Sequence, residues 1–151
     1  MRIVKDIIES KPLAFNSIDP KALVIEALQL LNSVNLSYLT VLDGDKYKGV
    51  FSERDYTRNL VLKGRSSSGT TVEEVMTTDL PQVKMDDTVE HCMNLMEISK
   101  TRYLLAFDGY NFIGVITIHD LLRQVIANKE QVFDHQLTRK LIDNEESPRI
   151  Y

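Results

Sequence analysis

The chain has 151 residues, of which 43% are hydrophobic and 26% charged, and its formal net charge is −4. That composition excludes extensive disorder and suits one globular domain or two small ones. The acidic balance excludes a general nucleic-acid binder, which needs a basic surface, and no apolar run reaches the ~18 residues of a membrane span.

In chain order, Ile3-Val4-Lys5-Asp6-Ile7-Ile8 reads as a short leading turn or helix, and Pro12-Leu13-Ala14-Phe15 as a short extended segment. Asp19-Pro20 offers an N-cap followed by proline at the first helical position. Val24, Ala27, Leu28 and Leu31 follow at helical spacing and form one apolar face. Tyr38-Leu39-Thr40-Val41-Leu42 is a strand that stops at the turn signal Asp43-Gly44. Tyr47 to Phe51 is the returning strand, Ser52 closes it, and a helix is predicted from about Glu53 to Leu62. The polar stretch Lys63-Gly64-Arg65-Ser66-Ser67-Ser68-Gly69 reads as a linker.

The second half repeats this order 65 residues later. Val89, Cys92, Met93 and Met96 follow Val24, Ala27, Leu28 and Leu31 at that offset, and Tyr103-Leu104 follows Tyr38-Leu39. Asp108-Gly109 follows Asp43-Gly44, and Arg123 follows Arg58. A constant offset through helix, two strands and helix indicates internal duplication. The fold class is therefore α/β of the α+β type, with two β-α-β-β-α repeats. Each small sheet has a face to cover, and the other copy is the obvious cover, which implies pseudo-two-fold symmetry. The expected division is repeat 1 at 1–66, a linker at 67–70, repeat 2 at 71–126 and a helical tail at 127–151.

The most repeated stretch is Gly49-Val50-Phe51-Ser52-Glu53-Arg54-Asp55, echoed by Gly114-Val115-Ile116-Thr117-Ile118-His119-Asp120. A hydroxyl residue followed three positions later by an acid, where a strand enters a helix, has the spacing of a capping box. The rival reading is a ligand site. Glycine inside a strand weakens it unless something approaches closely, a helix N-terminus offers backbone N–H groups to an anion, and the aspartate can accept from ribose hydroxyls.

Two units, each with glycine, two apolar residues, a hydroxyl residue and an aspartate three positions on, resemble a tandem cystathionine-β-synthase (CBS) domain pair, the Bateman module. The resemblance covers roughly residues 1–126. It implies a regulatory module with clefts between its repeats that bind an adenine nucleotide: AMP first, with ADP, ATP or NAD(H) as alternatives. It also implies a homodimer, no catalysis by the module itself and no required metal. By resemblance, Ser52, Asp55, Thr117 and Asp120 contact phosphate and ribose. Arg54 and His119 occupy the phosphate-reaching position, and Ser37-Tyr38 and Arg102-Tyr103 open the cleft-facing strand, with Val115 beside the second motif. Thr40 and Leu105 stand where many members have proline. The competing function is a protein-interaction scaffold without ligand.

Arg54, Arg58, Lys63 and Arg65 concentrate positive charge around one helix; Arg54 and Arg102 are the phosphate candidates, since the guanidinium fork suits phosphate. Cys92 falls on an apolar helix face and reads as core rather than as a zinc ligand with His91. Met85, Met93 and Met96 read the same way. A lone cysteine fits a reducing compartment, and Met1-Arg2-Ile3-Val4-Lys5-Asp6 becomes charged too soon for a signal peptide. Both point to a cytoplasmic protein. The apolar tail positions Phe133, Leu137 and Leu141 suggest packing against a second copy.

Overall fold

Alternating and helically spaced apolar residues form two copies of one small sheet with its helices. The computed structural model describes residues 2–11 and 16–128. The order is α1 (Val4–Ser10), β1 (Ser17–Ile18), α2 (Val24–Val34), β2 (Tyr38–Asp43), β3 (Lys46–Ser52) and α3 (Glu53–Asp55). A π-helical stretch, Tyr56–Val61, continues α3. There follow α4 (Val72–Val75), β4 (Gln82–Lys84), α5 (Val89–Ser99), β5 (Tyr103–Asp108), β6 (Asn111–Thr117) and α6 (Ile118–Asn128).

Each sheet has three strands, ordered β1-β2-β3 and β4-β5-β6, with the first pair parallel and the second antiparallel. The 65-residue offset holds to the residue for α2 and α5, for β2 and β5, and for β3 and β6. It extends to backbone detail. The hairpins turn at Gly44 (φ 61) and Gly109 (φ 62), and α2 and α5 end on left-handed residues, Asn35 (φ 54) and Lys100 (φ 53).

The compact units divide the chain differently from its repeats. One comprises Leu13–Asp79; the other combines Met1–Pro12 with Leu80–Tyr151. In the latter, Val4 and Ile7 of α1 are buried with Val83, Val89, Met93, Met96, Leu104 and Ile116. Backbone bonds dock the segment: Val4 N–H donates to the Asp87 carbonyl (2.9 Å) and Lys5 N–H to that of Met85 (2.9 Å). In the former unit, Val72 and Val75 of α4 complete a core with Val24, Leu31, Leu39, Val41, Phe51 and Leu60. Each sheet is thus closed by the leading segment of the other repeat. Cys92, Met93 and Met96 are core residues, and Met85 packs against them.

The Gly/Ser linker between the repeats does not coincide with a division between the compact units; two other expectations, on the helices, are corrected. Val24 N–H donates to the Thr70 carbonyl (2.9 Å) and Ile25 N–H to that of Ser67 (2.9 Å), so this stretch satisfies the first donors of α2. Helix α2 begins at Val24 rather than near Pro20. The carbonyls of Pro20 and Ala22 instead accept from Glu73 N–H (2.9 Å) and Val72 N–H (2.8 Å), which keeps Pro20 to Leu23 out of the helix. The segment after Ser52 is not one α-helix but a single turn followed by the wider π-helical stretch, in which Leu62 N–H reaches the Thr57 carbonyl (3.0 Å). The Pro12–Phe15 strand candidate and the tail positions Phe133, Leu137 and Leu141 lie outside the described residues. Among the described residues, no helix is long and apolar enough to cross a membrane.

Candidate ligand site

The two strand-to-helix junctions share a backbone and differ in chemistry. Ser52 is the last residue of β3 and the N-cap of α3. Its hydroxyl accepts from Asp55 N–H (3.3 Å), and Asp55 Oδ2 accepts from Ser52 N–H (2.9 Å) and from its hydroxyl (3.0 Å). This is the capping box that the spacing predicts. Asp55 Oδ1 accepts from the Thr77 hydroxyl (2.6 Å) and the Asn59 amide (3.3 Å), and that amide also donates to the Val75 carbonyl (2.9 Å). Four donors occupy a carboxylate with about four lone-pair positions. Burial raises the Asp55 carboxyl above its ordinary value, against the opposing effects of Thr77, Ser52 and the Arg54 charge.

Gly49 has its close approach, and the partner is the chain itself. An added Cβ would stand 2.7 Å from the Thr77 carbonyl oxygen and 2.9 Å from Met76 Sδ. Val50 and Thr77 exchange backbone bonds of 3.0 and 2.9 Å. The segment Met76-Thr77 therefore lies along the end of β3 and carries the Thr77 hydroxyl to Asp55.

At the second junction, Thr117 ends β6 and its hydroxyl accepts from Asp120 N–H (3.2 Å), while Asp120 Oδ2 accepts from Thr117 N–H (2.8 Å). The remaining partners are cations. Lys11 Nζ donates to Asp120 Oδ2 (2.8 Å) and to the Val115 carbonyl (2.7 Å), and Arg123 donates to Oδ1 (3.0 Å). The side chains of Lys11 and Arg123 are 26% and 72% exposed, and that of Asp120 only 4%. The sheltered Lys11 contact is the stronger of the two, because exposed pairs are screened by solvent. Burial by itself would raise the Asp120 carboxyl. The Lys11 charge and hydrogen bond, the Thr117 backbone and Arg123 outweigh it and hold the group below the ordinary carboxylate range. Among the described residues, these three donors leave one acceptor position on Oδ1.

The second-repeat candidates converge on this junction. Tyr103 opens β5 and pairs with Thr117, and the Arg102 carbonyl accepts from Ile118 N–H (3.0 Å). Val115 is buried and holds Lys11, Arg102 is half-buried, and His119 is exposed on α6. In the first repeat, Tyr38 pairs with Ser52, the Ser37 carbonyl accepts from Glu53 N–H (3.1 Å), and Arg54 is half-buried. The first-turn N–H groups expected to await an anion are partly engaged: those of Glu53, Asp55, Ile118 and Asp120 bond within the chain. Arg65 donates to the Glu74 carbonyl (3.0 Å), while Arg58 and Lys63 are exposed.

Sequence reasoning missed Lys11, Asn59 and Thr77. The available signal was the residue that ends each leading helix: Lys11 after α1 and Met76 after α4, so the repeats differ at the position beside the glycine-bearing strand.

Comparison with known proteins agrees with this architecture. A CBS-domain family profile matches residues 4–62 and again 72–127. The chain is 30% identical over 108 residues to the mitochondrial CBS domain-containing protein CBSX3 of Arabidopsis thaliana, covering 68% of this chain but 52% of that one; it therefore spans about half of that relative's length. A putative signal-transduction protein with CBS domains from Burkholderia ambifaria superposes with a TM-score of 0.78 at 35% identity, covering 87% of this chain and 99% of its own. CBSX2, solved in complex with AMP, shares the fold with a TM-score of 0.70 at 24% identity, covering 86% of this chain and 100% of its own. With two matches that together take in most of the sequence, each on one of the duplicated sheet units, the chain belongs to the CBS-domain family.

Proposed function

We propose that the protein is a regulatory module that binds an adenine nucleotide at the Thr117–Asp120 junction, with AMP the first ligand to test. One observation carries this reading. Asp120 is a buried carboxylate held in its charged form by Lys11 and Arg123, with an acceptor position left on Oδ1. Such a group suits a ribose diol, and the cations beside it favour the phosphate of the same ligand. Arg102, Tyr103, Val115, Thr117 and His119 surround it in sequence and register. CBSX2 is a protein of this fold that holds AMP, which is why AMP is tested ahead of ATP and NAD(H).

A thermal-shift series with AMP, ADP, ATP, NAD, NADH and S-adenosylmethionine tests the reading, since a ligand that binds only the native state raises its melting temperature. A rise with an adenine nucleotide, abolished by Asp120→Ala, supports it. No shift with any of them favours the scaffold without ligand. We propose a homodimer as well. Leu62, just past the π-helical stretch, and Ile126 on α6 are 74% and 75% exposed, apolar surface that a second copy would cover. Sedimentation equilibrium giving only the 17.3 kDa species at micromolar protein would exclude it.

A further inference from the structure

The two junctions are homologous in backbone and unequal in what the exchanged segment delivers to them. In the unit built on the second repeat, the segment after α1 brings Lys11 to the Asp120 carboxylate and the Val115 carbonyl. In the unit built on the first repeat, the residue that ends α4, as Lys11 ends α1, is Met76, whose sulfur lies against Gly49, and the next residue supplies the neutral Thr77 hydroxyl to Asp55. Asp55 is thereby filled by neutral donors, two from Ser52 and one each from Thr77 and Asn59. Among the described residues, Asp120 keeps an acceptor position on Oδ1 that no donor fills.

We infer that Lys11 is a positioning residue that makes the Thr117–Asp120 junction the nucleotide site and that Met76, in its place, leaves Asp55 as a structural residue. The inference rests on the nucleotide reading and adds to it the residue that selects between the two junctions. Lys11 acts through Asp120: its ammonium fixes Oδ2 between Thr117 N–H and itself, which turns Oδ1 towards incoming donors. Two of its three N–H donors go to Asp120 and Val115. Among the described residues, the charged groups acting on Asp120 are Lys11, from the segment after α1, and Arg123, from α6; no charged residue lies in β6. Arg123 is the more exposed of the two, so Lys11 is the partner whose loss the carboxylate feels most. The nucleotide site thus depends on a residue from the opposite end of the sequence, and loosening of the leading segment lowers affinity.

The test uses the full chain and two readouts. Carbon-13 NMR follows the Asp120 carboxyl through a pH titration without ligand, and calorimetry gives AMP affinity at about pH 5 and about pH 8. In Lys11→Met the Asp120 carboxyl should titrate at higher pH than in the wild type. AMP affinity should fall about tenfold or more, with the larger loss at the lower pH. Lys11→Arg should restore both; if Lys11→Met melts below the assay temperature, Lys11→Gln serves for the comparison. An unchanged Asp120 titration, or wild-type AMP affinity in Lys11→Met at both pH values, overturns the assignment to Lys11 and leaves the nucleotide reading standing. A wild-type protein that binds no AMP at either pH overturns both together.

Discussion

Replacing Asp55 by alanine should unfold rather than disarm. Asp55 is 4% exposed and accepts four hydrogen bonds, from Ser52 N–H, the Ser52 hydroxyl, the Thr77 hydroxyl and the Asn59 amide. After Asp55→Ala, Asn59 keeps its bond to the Val75 carbonyl and the Ser52 hydroxyl can rotate. Ser52 N–H and the Thr77 hydroxyl are then left without an acceptor. Two stranded donors at about 1–3 kcal/mol each, offset by relief of the buried charge, give a loss of roughly 2–4 kcal/mol. For a unit of this size that is a fall of roughly 8–30 °C in melting temperature. Calorimetric melting of the full chain reads the first quantity, and AMP titration below the new transition reads the second. We expect the lower melt together with an AMP affinity within about threefold of wild type. A variant that melts with the wild type but loses AMP by more than about tenfold would refute the reasoning and make Asp55 a ligand contact.

The two aspartates should respond to pH with opposite signs. The folded Asp55 carboxyl lies above its ordinary value of 3.8, so its contribution is full below that value and is lost as pH rises through the folded one. Asp120 lies below 3.8, so its contribution is present above that value and is lost as pH falls through the folded one. The stability difference between wild type and Asp55→Asn should therefore shrink with rising pH, and that for Asp120→Asn should shrink with falling pH; denaturant melts giving the same slope for both would contradict this. Lys100 ends α5 at φ 53, where a Cβ costs roughly 1–2 kcal/mol and glycine avoids most of it. Lys100→Gly should raise the melting temperature, and an unchanged or lower melt would show that the helix end carries no relievable strain. The fragment 13–79 keeps Val72, Val75 and Thr77, whereas 1–66 lacks them and leaves Val4 and Ile7 without a core. Hydrogen exchange should find β2 and β3 protected in the first fragment and much less so in the second.

Sequence alone determined the duplication and its elements, because hydrophobic period, turn glycines and capping spacing are local and one register serves both copies. It located both aspartates, since a hydroxyl residue three positions before an acid marks a helix start whatever surrounds it. Tertiary structure decided which segment closes which sheet. Val4-Ile7 and Val72-Val75 are interchangeable as patterns, and only packing assigns α1 to the second repeat and α4 to the first. It also decided the chemistry of each aspartate. Lys11 meets Asp120 across 109 residues and Thr77 meets Asp55 across 22, separations over which no local periodicity carries information. The sequence shows two equivalent carboxylates; the exchanged segments make one a buried ion pair and the other a helix cap bonded by neutral donors, because a charge inside a fold takes its surroundings from whatever the chain brings within about 3 Å of it.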